Sequence, residues 1–180
     1  ALKVKPINQL SGPKFTVMLL REALAADETS ILEIMNQAIL DQKNAYLSRF
    51  DNEHGRVWFN GLMDKGLIVL VVVLDDVICG WGALTPYREG RGALSQNVEI
   101  TFYVHERFKR RGVASMLIKD LEKRAKQLNK SQSVAILLDD NKESKTLLKK
   151  AGYQILGYFP DIASFQNKVC GHLYMWKALL

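Results

Sequence analysis

Long apolar runs, cysteines and the glycine signatures of nucleotide-binding folds are scarce or missing in this chain of 180 residues. The longest apolar run is LIVLVVVL, Leu67 to Leu74. A membrane-spanning helix needs about twenty apolar residues, so this run is strand length and no membrane partner is expected. The two cysteines, Cys79 in a strand-like run and Cys170 near the end, cannot build a framework of bridges and show no metal-ligand spacing. Both read as buried, inert thiols, and no metal is expected. His54, His105 and His172 lack a clustered nucleophile or metal pattern and are assigned no chemistry. The Gly-x-x-x-x-Gly-Lys-Ser/Thr loop of nucleoside triphosphate enzymes is missing, as is the Gly-x-Gly-x-x-Gly of dinucleotide folds. No internal repeat or low-complexity tract interrupts the chain. Its first residues, ALKVKPINQLSGPK, lack the apolar stretch of a secretory leader, so a cytoplasmic location is expected. Pro6, Gly12 and Pro13 suit a flexible arm over residues 1–13, ahead of one domain over 14–180.

What is present is the composition of a soluble globular protein, 48% apolar and 24% charged. A chain of this length buries about 70% of its unfolded surface in one core. The net charge of +6 admits nucleic acid, an acidic surface or a polyanionic small ligand as partner. Its location decides among them. Residues 106–130 hold nine Lys or Arg against three Asp or Glu, which favours a local anionic partner. Aromatic residues are not interleaved with that basic cluster as base-stacking platforms would be, so no nucleic-acid partner is expected.

Periodicity orders the elements as β, α, α, β, β, β, α, β, α, β, β. FTVMLLREA, from Phe15, reads as a first strand. Ser30 and Glu33 stand at capping-box spacing before a helix with Ile31, Ile34, Met35, Ala38 and Ile39 on its apolar face. A second helix is expected over Gly55 to Lys65. Leu67–Leu74 and Val77–Leu84 flank Asp75 and Asp76, a two-residue hairpin turn. In NVEITFYV, Val98, Ile100, Phe102 and Val104 share one face and Glu99, Thr101 and Tyr103 the other. A helix follows, with Val113, Met116, Leu117, Leu121, Ala125 and Leu128 at the spacing of a face packed on a sheet. SVAILLD is then a strand, NKESKTLLKKAG a helix closed by Gly152, and YQILGYF and HLYMWKAL two further strands.

The stretch FKRRGVASML joins a strand to a helix start, where unpaired N–H groups and about half a positive charge attract anions. Gly112 removes a Cβ, Ala114 is the next smallest residue and Ser115 adds a hydroxyl. Lys109, Arg110 and Arg111 bring mobile charge to the same mouth. A phosphate-bearing ligand fits this pattern, and so, on spacing alone, does a solvated helix start.

YVHERFKRRGVASMLI closely resembles the acetyl-CoA-binding motif of the GNAT family of N-acetyltransferases, Gln/Arg-x-x-Gly-x-Gly/Ala at a helix start. Lys109, Gly112 and Ala114 fill its slots. DDNKESKTLLKKAGY looks like the family's downstream segment, an Asn before a helix that ends in Gly-Phe/Tyr. VLDDVICGWGALTPYREGRGALSQNVEITFYV and the ending YMWKAL look like the phosphinothricin acetyltransferase branch, whose members acetylate the α-amino group of small amino acids or analogues such as methionine sulfoximine and sulfone. The resemblance implies an α/β (α+β) GNAT fold with a mixed central sheet of about seven strands flanked by helices on both faces. It implies acetyl-CoA as cosubstrate and, as often in the family, a homodimer. Phe102, Tyr103 and Val104 would offer backbone groups to the pantetheine arm. Arg110, Arg111, Gly112, Val113, Ala114 and Ser115 would bind the pyrophosphate, and Asn141 would contact the cofactor further along. Phe102 and Val104 also fit a plain core, and Asn141 a helix cap.

An amine that attacks a thioester must be neutral, and a free α-amino group has a pKa of about 7.7 to 8.0, so a modest base suffices. In the branch a Glu stands before the YV of this strand, and here it is Glu99. A carboxylate inside a strand covered on both faces is costly unless it opens on a cleft. Backbone N–H groups of Phe102 to Val104 are the candidate oxyanion donors. Many GNAT enzymes protonate the leaving thiolate with a Tyr in the helix after the Asn, whereas this chain has Leu148 at that position. For the acceptor, Tyr87, Arg88 and Arg91 can receive a carboxylate, Arg by a bidentate pair, and Tyr46 and Phe50 stand in the family's variable acceptor-binding segment. Two other activities fit the same residues: acetylation of protein N-termini or lysines, and a non-catalytic acyl-CoA-binding module, which Leu148 favours.

Overall fold

The computed structural model describes residues 17–180; the arm over 1–13 and the start of the first strand at Phe15 lie outside them. Seven strands form one mixed sheet in the order β1-β2-β3-β4-β5-β7-β6. The strands are β1 (Met18–Glu22), β2 (Ile68–Leu74), β3 (Val77–Pro86), β4 (Asn97–Val104), β5 (Gln132–Leu138), β6 (Gln154–Ser164) and β7 (Val169–Ala178). The four α-helices are α1 (Glu28–Leu40), α2 (Asn52–Lys65), α3 (Val113–Gln127) and α4 (Lys142–Lys150). Element order follows the periodicity of the sequence throughout.

Alternation along the strands sorts the core into two layers. Ile31, Ile34 and Phe59 of α1 and α2 pack on Val69, Val71 and Trp81 on one face. On the other, Val113, Leu117 and Leu121 of α3 and Leu148 of α4 meet Leu70, Val72, Ile100 and Met175. Asp75 and Asp76 both adopt positive φ, 48° and 64°, the twist that lets a two-residue turn join β2 to β3. The β2–β3 register slips between Val72 and Val73, and Cys79 takes the extra position with its thiol donating to the Val72 carbonyl at 3.2 Å.

Three expectations change. Helix α1 begins ahead of Ser30, because a short turn over Ala25–Asp27 runs straight into it. Asp27, 1% exposed, accepts from the Leu24 N–H at 2.7 Å and from Arg21 of β1 at 2.7 and 2.9 Å, so an ion pair to the sheet starts this helix and not a Ser30–Glu33 box. Leu128 is 42% exposed, since α3 ends before it can face the sheet, and Ile118, 2% exposed, joins the packed stripe. Strands β6 and β7 extend toward each other to Ser164 and Val169, a longer hairpin than YQILGYF and HLYMWKAL mark out.

Helix α3 lies close on β3 because the strand is bare where they meet. A Cβ on Gly82 would stand 2.9 Å from Leu121 Cδ1 and 2.9 Å from the Thr101 carbonyl oxygen. The leucine tip can move, but the backbone oxygen cannot. Gly82→Val is therefore expected to destabilise the fold by about 1–3 kcal/mol through overpacking. Urea denaturation checks this, and an unchanged midpoint would show that α3 has room to retreat.

Candidate active site

Among the described residues, the only parallel contact in the sheet is short. Strands β4 and β5 pair at Asn97–Gln132, Val98–Ser133 and Glu99–Val134 and nowhere beyond. The closed end is pinned by Ser131 N–H to the Gln96 carbonyl at 2.9 Å and Leu179 N–H to the Ser131 carbonyl at 2.8 Å. Past Glu99, β4 stays with β3 up to Val104–Gly80, while β5 stays with β7 up to Leu138–His172. The strands part, and the wedge between them is a cleft of about 750 Å³. From Ile100 to Val104, the β4 peptide groups turned away from β3 face this cleft instead of a strand.

The mouth of the wedge is built by the β4–α3 connection. Phe108, 2% exposed, anchors it in the core. Arg110 and Gly112 take φ of 62° and 82°, so the chain turns sharply twice before α3 starts. A Cβ at Gly112 would meet no atom within 4 Å; the glycine is required by its left-handed backbone, where other residues are strained, more than by space. Met116 N–H closes the first helical bond on the Gly112 carbonyl at 3.0 Å. The N–H groups of Val113, Ala114 and Ser115 therefore lack intrahelical partners, and among the described residues no side chain caps this end. Together with Lys109 and Arg110, these residues line the cleft, an anion-binding arrangement. Arg111 does not join them, because its guanidinium sits over the Phe108 ring at 5.6 Å.

Glu99 stands at the closed end, on the last paired rung, half-buried and lining the cleft. Burial pushes its carboxyl up from the ordinary carboxylate range, and the charge of Arg88 opposes that shift. Tyr87 and Arg88, which follow β3, line the same end. Arg91 lies outside the lining, exposed on the short turn over Gly92–Leu94. Tyr46 and Phe50 also stay out of the cleft; they begin an aromatic chain in which Tyr46–Phe50, Phe50–Trp58, Trp58–Trp81 and Trp81–Tyr103 ring centroids are 5.0–5.7 Å apart. Through that chain they support Tyr103, which lines the cleft beside Phe102 and Val104. The α1–α2 connection contributes Lys43 and Asn44 to the lining instead.

On the opposite wall Asn141 is buried and lines the cleft. Its side-chain oxygen accepts from the Ser144 N–H at 3.2 Å and caps α4, which leaves the amide nitrogen as its remaining donor. Leu148 is 1% exposed and belongs to the core. His172 and Tyr174 line the cleft from β7, where neither was expected. Their register opposite Leu138 and Ile136 sets them on the Glu99 face of the sheet. The alternation in HLYMWKAL pairs them on one face, but only the sheet order brings that face to the wedge. Asp139, Asp140 and Cys170 bring potential ligand atoms within 4.8 Å of one another, and the Lys168 ammonium occupies the Asp140 carboxylate at 2.5 Å.

The profile of the acetyltransferase (GNAT) family matches residues 32–153. YwnH of Bacillus subtilis, which carries a provisional phosphinothricin acetyltransferase designation, is 26% identical over 152 residues, covering 84% of this chain and 93% of that protein. An N-acetyltransferase from Staphylococcus aureus superposes with a TM-score of 0.85 at 20% identity, over 91% of this chain and 99% of its own. A phosphinothricin acetyltransferase from Sinorhizobium meliloti, solved in complex with acetyl-CoA, superposes with a TM-score of 0.82 at 20% identity, over 89% of this chain and 88% of its own. At these identities the two structures share the fold with this chain.

The mouth carries a pH dependence. His105, 6% exposed, accepts the Arg107 N–H on Nδ1 at 3.3 Å and so holds the turn before Lys109. Burial pushes its pKa down, against the pull of Glu33 and Glu106. The neutral ring is the native form, so its contribution is complete above the ordinary histidine pKa and is lost as pH falls through the lower native value. Urea midpoints at pH 7.5 and 5.5 should drop further in the wild type than in His105→Gln. Equal drops would sink the assignment.

Proposed function

Because the chain belongs to the GNAT acetyltransferase family, whose acyl donor is acetyl-CoA, we propose that it moves the acetyl group to the α-amino group of a small amino acid or analogue, of the phosphinothricin, methionine sulfoximine or methionine sulfone type. On this reading it is a cytoplasmic enzyme. The observation that carries the proposal is Glu99 at the closed end of the wedge with Arg88 beside it. A carboxylate poised to take a proton from an ammonium group lies next to a guanidinium able to hold a carboxylate.

The amides of Val113, Ala114 and Ser115, with Lys109 and Arg110, receive the pyrophosphate. Peptide groups of Phe102, Tyr103 and Val104 pair with the pantetheine amides, and Asn141 donates from the other wall. Arg88 and Tyr87 hold the acceptor so that its amine faces Glu99. Glu99 takes the amine proton, directly or through water, the new C–N bond forms, and the β4 N–H groups stabilise the oxyanion. The C–S bond then breaks to release the thiolate, and the second proton on the new amide nitrogen passes through solvent to the departing sulfur. Leu148 supplies no proton, and a thiol with a pKa of about 8.5 leaves without a side-chain acid. Asn44 and Tyr174 complete the walls around a small acceptor.

A panel of free amino acids and analogues with acetyl-CoA, followed by thiol release, tests the reading; turnover only with peptides would favour a protein substrate, and tight acetyl-CoA binding with no turnover a binding module. Glu99→Gln is expected to lower kcat by about 100-fold while leaving acetyl-CoA affinity intact. Because the native carboxyl keeps its proton to a higher pH than usual, the acid limb of the wild-type profile should lie above the ordinary carboxylate range and vanish in the variant. If turnover at saturating substrate is unchanged across pH, Glu99 is not the base.

The homodimer has its own support. Among the described residues β6 pairs on one side only, and Ile155, Leu156, Tyr158, Phe159, Ile162 and the facing Val169 are each about half exposed, from 44% to 57%. Pro160, Asp161 and a bulge between Phe159 and Ala163 blunt the far half of β6, so the edge left to cover is Gln154 to Phe159, whose apolar side chains call for it. A second copy supplies it by joining β6 edge to edge. Light scattering should give a dimer for the wild type and a monomer for Phe159→Glu; a monomeric wild type removes the proposal.

A further inference from the structure

The turn between β6 and β7 is tied to two other segments that are remote in sequence. Gln42, at the end of α1, donates from Nε2 to Asn167 Oδ1 at 3.0 Å. Lys168 donates from Nζ to the Gln42 carbonyl at 3.5 Å and to Asp140 Oδ2 at 2.5 Å. Asp140 precedes Asn141 on the β5 wall of the wedge, while Lys43 and Asn44, which follow Gln42, belong to the lining on the opposite side. One ammonium group thus joins the two walls. A second tie fixes the other end of the same segment, where Glu106 N–H donates to Gln37 Oε1 at 2.8 Å. Gln42 itself holds a positive φ of 50° in the closing turn of α1, where Lys43 N–H bonds to the Ala38 carbonyl at 2.9 Å, and from there the chain turns toward the wedge.

We infer that Lys168 is a positioning residue for the acceptor: by clamping the Gln42 carbonyl to Asp140 it holds the Lys43–Asn44 segment over the wedge, at a fixed distance from the wall that carries Asn141. The inference rests on the acetyl-transfer reading of the cleft. The alternative, that the clamp only stabilises the fold, conflicts with its setting. Asp140 is 44% exposed and Lys168 26%, and ion pairs so open to water contribute little to stability. Their geometric effect is larger, since small misplacements around a reacting group cost rate and affinity well beyond the energy of the contact itself. Lys168 does not line the cleft, and Asn141 on the donor wall is held separately by its bond to the Ser144 N–H, so removal of Lys168 acts on the Lys43–Asn44 side.

Two measurements on the full chain test it. Amide hydrogen exchange of residues 41–46, with no substrate present, should be about tenfold faster in Lys168→Met than in wild type, the sign of local release without global unfolding. In steady state with L-methionine sulfone, or whichever amine of the panel turns over, Lys168→Met should raise the acceptor KM about tenfold while kcat and the acetyl-CoA KM stay within about twofold. Lys168→Arg, which keeps the charge and the donors, should recover part of the loss. Unchanged exchange, an unchanged acceptor KM, or a parallel rise in both KM values would overturn the clamp. If wild type acetylates no amine, the functional reading fails, and the exchange arm alone decides whether Lys168 holds the segment.

Discussion

Everything about this site follows from a parallel pairing that stops after three rungs. A strand that stayed in register along its length would satisfy its peptide groups within the sheet, leaving nothing to bind with. Here β4 is committed to β3 and β5 to β7 over their full lengths, so neither can close the gap once they diverge. The peptide groups of β4 turned away from β3 are therefore held rigid and aimed into the cleft. A rigid strand edge recognises an extended, amide-bearing chain by the same ladder that joins strands. This explains how Phe102 and Val104 pack against the core with their side chains and serve the cleft with their backbone.

The divergence also divides the electrostatics. At the open end lie the partial positive charge of α3 and the side chains of Lys109 and Arg110; at the closed end lies a half-buried carboxylate. Were Glu99 at the mouth, those cations would hold it ionised and weakly basic, and it would repel the anion they attract. Buried at the apex, it has only Arg88 offsetting the desolvation that raises its proton affinity. On the proposed reading binding and proton transfer thus occupy opposite ends of one wedge, and the length of β4 between them sets their separation.

Much of this was legible in the sequence, for local reasons. Period-two alternation in NVEITFYV fixed both faces of β4, and the glycine with its basic flank marked the start of α3. The wedge itself was not legible, because it depends on where a long-range parallel pairing ends. The misplacements share that origin. Tyr46 and Phe50 belong to the right segment, but Trp58 and Trp81 draw their rings into a stack. Arg111 is adjacent to two lining residues, yet Phe108 holds it away. Arg91 lies three residues after Arg88, on a turn that faces outward. His172 and Tyr174 were missed for the opposite reason: their strand is last in sequence but second from the edge in space. The role of Gly112 changed in kind, from clearing space to permitting a backbone angle that composition does not reveal.

Leu148 gives the proposed chemistry its asymmetry. Its position in α4 is 1% exposed and packed in the core, so the chain uses it for packing where many family members use a hydroxyl. The two halves of the reaction tolerate such a loss unequally. Near pH 7 an α-amine with a pKa of about 7.7 to 8.0 is mostly ammonium, which has no lone pair to attack with and must pass its proton to an acceptor, whereas a thiolate whose acid has a pKa of about 8.5 is a stable anion that departs without protonation. Loss of the base therefore slows attack by leaving the amine's proton to bulk solvent, while loss of the acid is borne by a leaving group that is stable as its anion. A fold that keeps a half-buried carboxylate at the apex and fills the acid's position with a packed leucine retains the group on which the proposed acetyl transfer more depends.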